Sequence, residues 1–115
     1  MSKIDFENIR EQIIKFREDR NWKQFHTIKD LLLGINIELA ELQELVLWKN
    51  QSEIEEVDKE KIEEELADIF IFLTYLSEHF NVDLLKSVEK KIDKNDKKYP
   101  IDKSFGNSKK YNELE

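Results

Sequence analysis

Acidic residues embedded in the two most apolar helical stretches constrain the fold of this chain more than any other feature. In the segment INIELAELQELVLWK, residues 35–49, apolar side chains surround Glu38 and Glu41. In the segment EEELADIFIFLTYL, residues 63–76, Asp68 is flanked on both sides by apolar residues. Because an isolated buried carboxylate costs several kcal/mol or takes up a proton, acids at these positions need a partner inside the fold.

The composition favours an all-α protein over a β-rich one. The 115 residues are 39% hydrophobic and 39% charged, and they include only two glycines and one proline, so a β-sandwich lacks its turn residues. The net charge of −7 argues against nucleic acid as a partner. No apolar run approaches the roughly 20 residues of a membrane span, and the N-terminus lacks a signal-peptide pattern. Without cysteine, we expect a cytoplasmic protein with no membrane partner.

Hydrophobic periodicity and capping residues predict four helices. The first covers about 15 residues from Ile4, and the segment DRNWKQFH ends it. The others run from Thr27 to about Trp48, from Asp58 to about Phe80 with Asn81 closing it, and from Asp83 to Tyr99 before Pro100. The segment between helices two and three is predicted to be a loop.

The predicted domain covers residues 1–100, and residues 101–115 are predicted to form an irregular polar tail with Phe105 and Tyr111 as its candidate anchors. The third helix is apolar on almost every side, which favours packing against a partner subunit in a homodimer or homotetramer. A single tightly wrapped bundle is the alternative.

The acids fall into two pairs with helical spacing. Glu38 with Glu41, and Glu65 with Asp68, are each three residues apart and share a helix face. A divalent cation would offset both their burial and their mutual repulsion, and hard oxygen ligands suit Mg²⁺ or Mn²⁺ better than zinc. The simpler alternative is a solvated acidic face. A redox di-metal bundle is disfavoured, because neither histidine stands three residues after a glutamate.

The chain resembles a known family of enzymes over nearly its whole length. IELAELQELVLWK followed by EELADIFIFL is similar to the paired acid motifs of the all-α, MazG-like nucleoside triphosphate pyrophosphohydrolases. Further similar segments are NWKQFHTIKDLLL, KKIDKNDKKYP and SKKYNEL, and the likeness is strongest to the dCTP pyrophosphatases. The resemblance implies a four-helix MazG-like bundle that cleaves the α–β phosphoanhydride bond to give a monophosphate and pyrophosphate.

The resemblance also implies roles for individual residues. The metal ligands would be Glu38, Glu41, Glu65 and Asp68, with Glu41 or Glu38 accepting the proton of the attacking water. The substrate contacts would be Trp22, Phe25, His26, Trp48, Tyr75, Lys91, Asn95 and Tyr99. Without the resemblance, these aromatic residues would be read as core and the lysine as part of a solvated charge run. Ile13 stands where the dCTP enzymes have a histidine, so the base or phosphate preference is left open.

The sequence therefore predicts a Mg²⁺-dependent hydrolase acting on dCTP or a related pyrimidine deoxynucleotide. One alternative keeps the fold but changes the substrate to dUTP or to a broad set of triphosphates. The other is a non-catalytic helical interaction module whose acids face solvent.

Overall fold

The computed structural model describes residues 4–115, and within them every regular element is helical. The six α-helices are α1 (Phe6–Asp19), α2 (Ile28–Glu44), α3 (Gln51–Glu55), α4 (Lys59–His79), α5 (Leu84–Lys98) and α6 (Ile101–Ser104). Single 3₁₀ turns occupy Lys23–Phe25 and Tyr111–Glu113. The predicted all-α class is confirmed.

Side-chain caps begin three of the long helices where the sequence predicts them. Thr27, Asp58 and Asp83 each accept a hydrogen bond from a backbone N–H two or three residues further on, at 3.0 to 3.2 Å. After α4, Asn81 takes the left-handed conformation with φ 53°, as predicted. Polar residues with local hydrogen-bonding capacity therefore set these boundaries.

The predicted end of the second helix is wrong. α2 ends at Glu44, and the following residues turn until Trp48 adopts φ 63°. The next segment is a one-turn helix and not a loop, because Asn50 and Glu53 form a reciprocal capping box at its start. Apolar residues continue the helical pattern through residues 45–48, which is why the sequence predicts a longer helix. Hydrophobic periodicity indicates which side chains can pack against the core, but it does not determine the residue at which the backbone hydrogen bonds of a helix end.

The last fifteen residues are more regular than predicted, since α6 and a 3₁₀ turn occur within them. Tyr111 packs its ring edge-on against Tyr99, with ring centres 6.3 Å apart, so it does act as an anchor. The predicted anchoring by Phe105 is wrong, because its side chain is 87% exposed.

The chain divides into two compact units, residues up to Asn81 and Val82–Glu115. In the first unit α2 packs along α4, and α1 also contacts α4. Ile13 and Leu31 are buried with Tyr75, one from each of these three helices. Two buried hydroxyls of α4 are satisfied within the helix, because those of Thr74 and Ser77 each donate to a backbone carbonyl one turn earlier.

Gly34 permits the close approach of α2 to α4. A Cβ atom at this position would lie 2.6 Å from Cε1 of Phe72, closer than any side chain could tolerate without movement. None of the helices within residues 4–115 combines the length and apolar character that crossing a membrane requires.

Candidate metal centre and adjoining cavity

Three carboxylates from α2 and α4 converge at one point. Glu38, Glu65 and Asp68 each offer an oxygen atom, and these three atoms lie within 4.8 Å of one another. Helical spacing brings Glu65 and Asp68 to one face of α4, and the packing of α2 along that helix adds Glu38. Glu41 lies outside this set of three but close to it, since its carboxyl interacts with those of Glu38 and Glu65.

Burial and crowding of negative charge disfavour the ionised forms of Glu38 and Glu65. Burial, followed by hydrogen bonds with Glu65 and Glu41 and by the charge of Asp68, raises the pKa of Glu38 to about 7. The hydrogen bond with Glu38 lowers the pKa of Glu65, but burial and the neighbouring carboxyls outweigh it, so the net displacement is upward. The cluster therefore resists holding its full negative charge unless a cation is present.

The donor set fits a hard divalent cation. Oε2 of Glu38 and Oε2 of Glu65 are buried and have no hydrogen-bond donor among the described residues when the carboxyls are ionised, since a hydrogen bond between two carboxyls requires one of them to be protonated. Within residues 4–115, no lysine or arginine forms an ion pair with these carboxylates. Buried acceptors without a donor are costly and uncommon, and a bound metal ion is one of the few ligands that satisfies several of them together.

A cavity of about 600 Å³ adjoins the acids within the first unit. Asp68 belongs to its lining as well as to the carboxylate cluster. The aromatic part of the lining comes from the 19–26 turn and from α1 and α4, namely Phe16, Trp22, His26, Phe70, Phe72 and Tyr75. Asp68 therefore belongs both to the carboxylate cluster and to the aromatic cavity. This arrangement suits a ligand that has an anionic part beside a flat ring.

Three of the predicted substrate contacts line this cavity. Trp22 follows Asn21, whose φ of 52° turns the chain back after α1, and its ring packs edge-on against Phe16. His26 lies against Tyr75 with ring centres 4.7 Å apart. Burial, followed by the positive charge of Arg17, lowers the pKa of His26, so the imidazole is neutral at pH 7.

Two predicted contacts of the first unit are not brought to the cavity lining, and the remaining three belong to the second unit. Phe25 is 63% exposed and Trp48 is 91% exposed, and neither belongs to the lining. Lys91 and Asn95 are exposed on α5 in the second unit, and Tyr99 ends that helix with its backbone N–H donating to the Asn95 carbonyl at 2.8 Å.

The sequence did not lead us to predict the ion pair between Arg17 and Glu78, which lies beside the Tyr75 ring. Arg17 is only 2% exposed and binds Glu78 through two hydrogen bonds, of 2.7 and 3.2 Å. The signal was present in the sequence, because Arg17 follows Ile13 by four residues and so lies on the apolar face of α1. A charged residue on that face requires a buried partner.

Comparison with known proteins places the sequence beside nucleotide-cleaving enzymes. Residues 33–114 match the MazG-like family. The chain is 36% identical to dCTP pyrophosphatase 1 of Rattus norvegicus and of Homo sapiens in alignments of 113 residues, and equally identical to that of Bos taurus in an alignment of 118 residues, gaps included. These alignments cover 94% to 98% of the chain, which spans 66% to 70% of the length of the relatives.

A solved structure shares the fold. The chain superposes on a pyrophosphatase from Archaeoglobus fulgidus with a TM-score of 0.77 and 34% sequence identity. The match covers 87% of this chain and 98% of the archaeal one.

Proposed function

The chain belongs to the MazG-like family, and from this premise we propose that it is a nucleoside triphosphate pyrophosphohydrolase. Its substrate is dCTP or a related pyrimidine deoxynucleotide, and its products are the monophosphate and pyrophosphate. The dCTP pyrophosphatases with 36% identity support the substrate class. The observation that carries the proposal is the position of Asp68, which joins the carboxylate cluster to the aromatic cavity.

The carboxylates Glu38, Glu41, Glu65 and Asp68 would hold Mg²⁺, with Mn²⁺ as an acceptable substitute. Such an ion supplies charge neutralisation of the triphosphate and lowers the pKa of a bound water. The two buried oxygens without partners in the described chain support this assignment, as does the hard, all-oxygen donor set.

Glu41 is the proposed general base, with Glu38 as the second candidate. Glu41 is exposed and lies beside the three converging carboxylates, so a water molecule can reach it from solvent. Its carboxylate would accept the proton as the water oxygen bonds to phosphorus, while the α–β anhydride bond breaks and the electron pair leaves with the departing phosphate oxygen.

Trp22, His26 and Tyr75 would hold the base in the cavity. The ring of Trp22 is partly exposed and offers a stacking surface, whereas Tyr75, which is largely buried, would contact the base only with the small part of its surface that lines the cavity. The neutral His26 has one donor and one acceptor nitrogen for hydrogen bonds to a base edge. Contacts from Phe25, Trp48, Lys91, Asn95 and Tyr99 rest on the family resemblance alone and stay predictions.

We further propose a homodimer or homotetramer in which the helices of a four-helix MazG-like bundle pack against a partner subunit. Among residues 4–115 only three hydrophobic residues are buried, namely Ile13, Leu31 and Tyr75. Large apolar side chains stay exposed on α2 and α4, namely Leu32, Leu33, Ile37, Leu66, Phe70 and Leu73. Such surface favours an interface. The catalytic domain at residues 1–100, the tail at residues 101–115 and a cytoplasmic location also stay predictions.

The direct test is pyrophosphate release from a panel of dCTP, dUTP, dTTP, dATP, dGTP and CTP, with Mg²⁺ and with EDTA. We expect Mg²⁺-dependent release that is fastest with dCTP. Similar rates across the panel would favour a broad specificity and overturn the dCTP assignment. No release from any nucleotide would leave the non-catalytic interaction module as the better account.

A further inference from the structure

Tyr75 forms a wall between two cavities of the first unit. Its ring is 5% exposed and, together with His26, lines both the 600 Å³ cavity and a second one of about 330 Å³. Arg17 and Glu78 line the second cavity but not the first. The ion pair therefore lies behind the wall, away from the face that a base would contact.

The guanidinium of Arg17 is fixed on several sides. It binds Glu78 through both terminal nitrogens, and Nε and Nη2 donate to one oxygen of Glu18 at 3.1 and 2.6 Å. Its central carbon lies 5.3 Å from the centre of the Tyr75 ring. Tyr75 and Glu78 are three residues apart on α4, so one helical turn supplies both the ring and the carboxylate that orients the cation against it.

The same residue also anchors the turn that carries Trp22. The Trp22 backbone N–H donates to the Arg17 carbonyl at 3.1 Å, immediately after the left-handed Asn21. Arg17 thus contacts Tyr75 through its side chain and Trp22 through its backbone carbonyl, and both of these aromatic residues line the cavity.

We propose that Arg17 is a positioning residue for the nucleotide base: clamped by Glu78, its guanidinium holds Tyr75, and through it His26, in the place where they bind the base. This inference rests on the proposed function. Arg17 would touch neither the base nor the phosphates, and its contribution would come from the planar fork, which lysine cannot reproduce.

The first test compares the kinetics of Arg17→Lys and wild type with dCTP and saturating Mg²⁺. If Arg17 positions base contacts that bind ground state and transition state alike, the KM should rise about tenfold while kcat stays within about threefold. Glu78→Gln keeps the shape of the clamp but weakens it, and should raise the KM by a smaller factor. This variant carries the test if Arg17→Lys does not fold. An unchanged KM in the folded variants would overturn the proposal.

A matched control separates positioning from general loss of stability. Ile14→Ala removes a half-buried side chain on the same helix, packed against the core but lining neither cavity. It should lower the melting temperature and leave the KM unchanged. If it raises the KM as much as Arg17→Lys does, Arg17 has only a structural role.

A second readout does not depend on nucleotide cleavage. Nitration of the metal-free protein by tetranitromethane, mapped by mass spectrometry, should modify Tyr75 about fivefold faster in Arg17→Lys than in wild type, because the ring is no longer held. Tyr99 and Tyr111 serve as internal references with unchanged rates. Equal protection of Tyr75 in both proteins would refute the clamp. If wild type shows the clamp but cleaves no nucleotide, the proposed function fails and the positioning of Tyr75 stands.

Discussion

Replacing Glu38 with glutamine should stabilise the metal-free protein at neutral and alkaline pH. Burial and the neighbouring carboxyls raise the pKa of Glu38 from 4.5 to about 7, so between these values the folded state binds more protons than the unfolded state. The stability that this group contributes is complete below pH 4.5 and is lost as the pH rises through 7. Glutamine keeps the size of the side chain but does not ionise.

The magnitude follows from the displacement of the pKa. Since each pKa unit corresponds to about 1.4 kcal/mol, the change from 4.5 to about 7 sets an upper limit of roughly 3.5 kcal/mol. Because Glu38 as a whole residue is only half-buried and solvent screens part of the interaction, about 1–2 kcal/mol is the expected gain for Glu38→Gln at pH 8. For a domain of this size that gain corresponds to a rise in Tm of roughly 3 to 10 °C.

The assay is thermal unfolding followed by circular dichroism in EDTA at pH 5 and at pH 8. The difference in Tm between Glu38→Gln and wild type should be larger at pH 8 than at pH 5. Glu44→Gln, at an exposed position of the same helix, controls for the removal of one negative charge and should show little of this pH dependence. Equal differences at both pH values for Glu38→Gln would refute the assigned environment of Glu38.

Three further predictions concern the metal site, the packing of α2 against α4 and the oligomeric state. Excess Mg²⁺ should raise the Tm of wild type relative to EDTA by mass action on the native state, and this increase should be largely lost in Asp68→Asn; identical wild-type midpoints would contradict a metal site. Gly34→Ala should destabilise the protein by about 1 kcal/mol in urea melts, because a clash with Phe72 of about 1–3 kcal/mol exceeds the gain in helix propensity of about 1 kcal/mol; a more stable variant would show that the ring moves freely. Light scattering at micromolar concentration should give a dimer or tetramer, and a monomer would contradict the proposed interface.

The parts of the fold that depend on local chemistry were predictable. Asp58 and Asp83 cap the helices that they were expected to cap, because capping is decided by residues within one turn. The end of α2 was not predictable from periodicity, since residues 45–48 continue the apolar pattern while the backbone turns. Pro100 ends α5 as expected, but it also precedes α6, a position that proline tolerates because a helix start needs no N–H bond there.

The candidate site was only partly predictable for a similar reason. Spacing placed Glu65 and Asp68 on one face of a helix, but the meeting of that face with Glu38 depends on how α2 packs against α4. The two helices pack closely because Gly34 has no side chain to meet Phe72. How closely two long helices pack is a tertiary property, so the sequence around Gly34 alone does not predict it. The pairing of Arg17 with Glu78, 61 residues apart, is likewise a tertiary contact.

Pyrophosphate release from dCTP by Asp68→Asn and wild type, with Mg²⁺, tests the central claim most directly. Asparagine keeps the size of Asp68 but removes a charged ligand from the point where cluster and cavity meet. Glu64→Gln, an exposed acid on the same helix, is the matched control and should retain the wild-type rate. The rate of Asp68→Asn should fall by orders of magnitude, because each ~1.4 kcal/mol of lost transition-state stabilisation lowers it tenfold. Hydrolysis by Asp68→Asn at the wild-type rate would contradict a catalytic metal centre at these carboxylates.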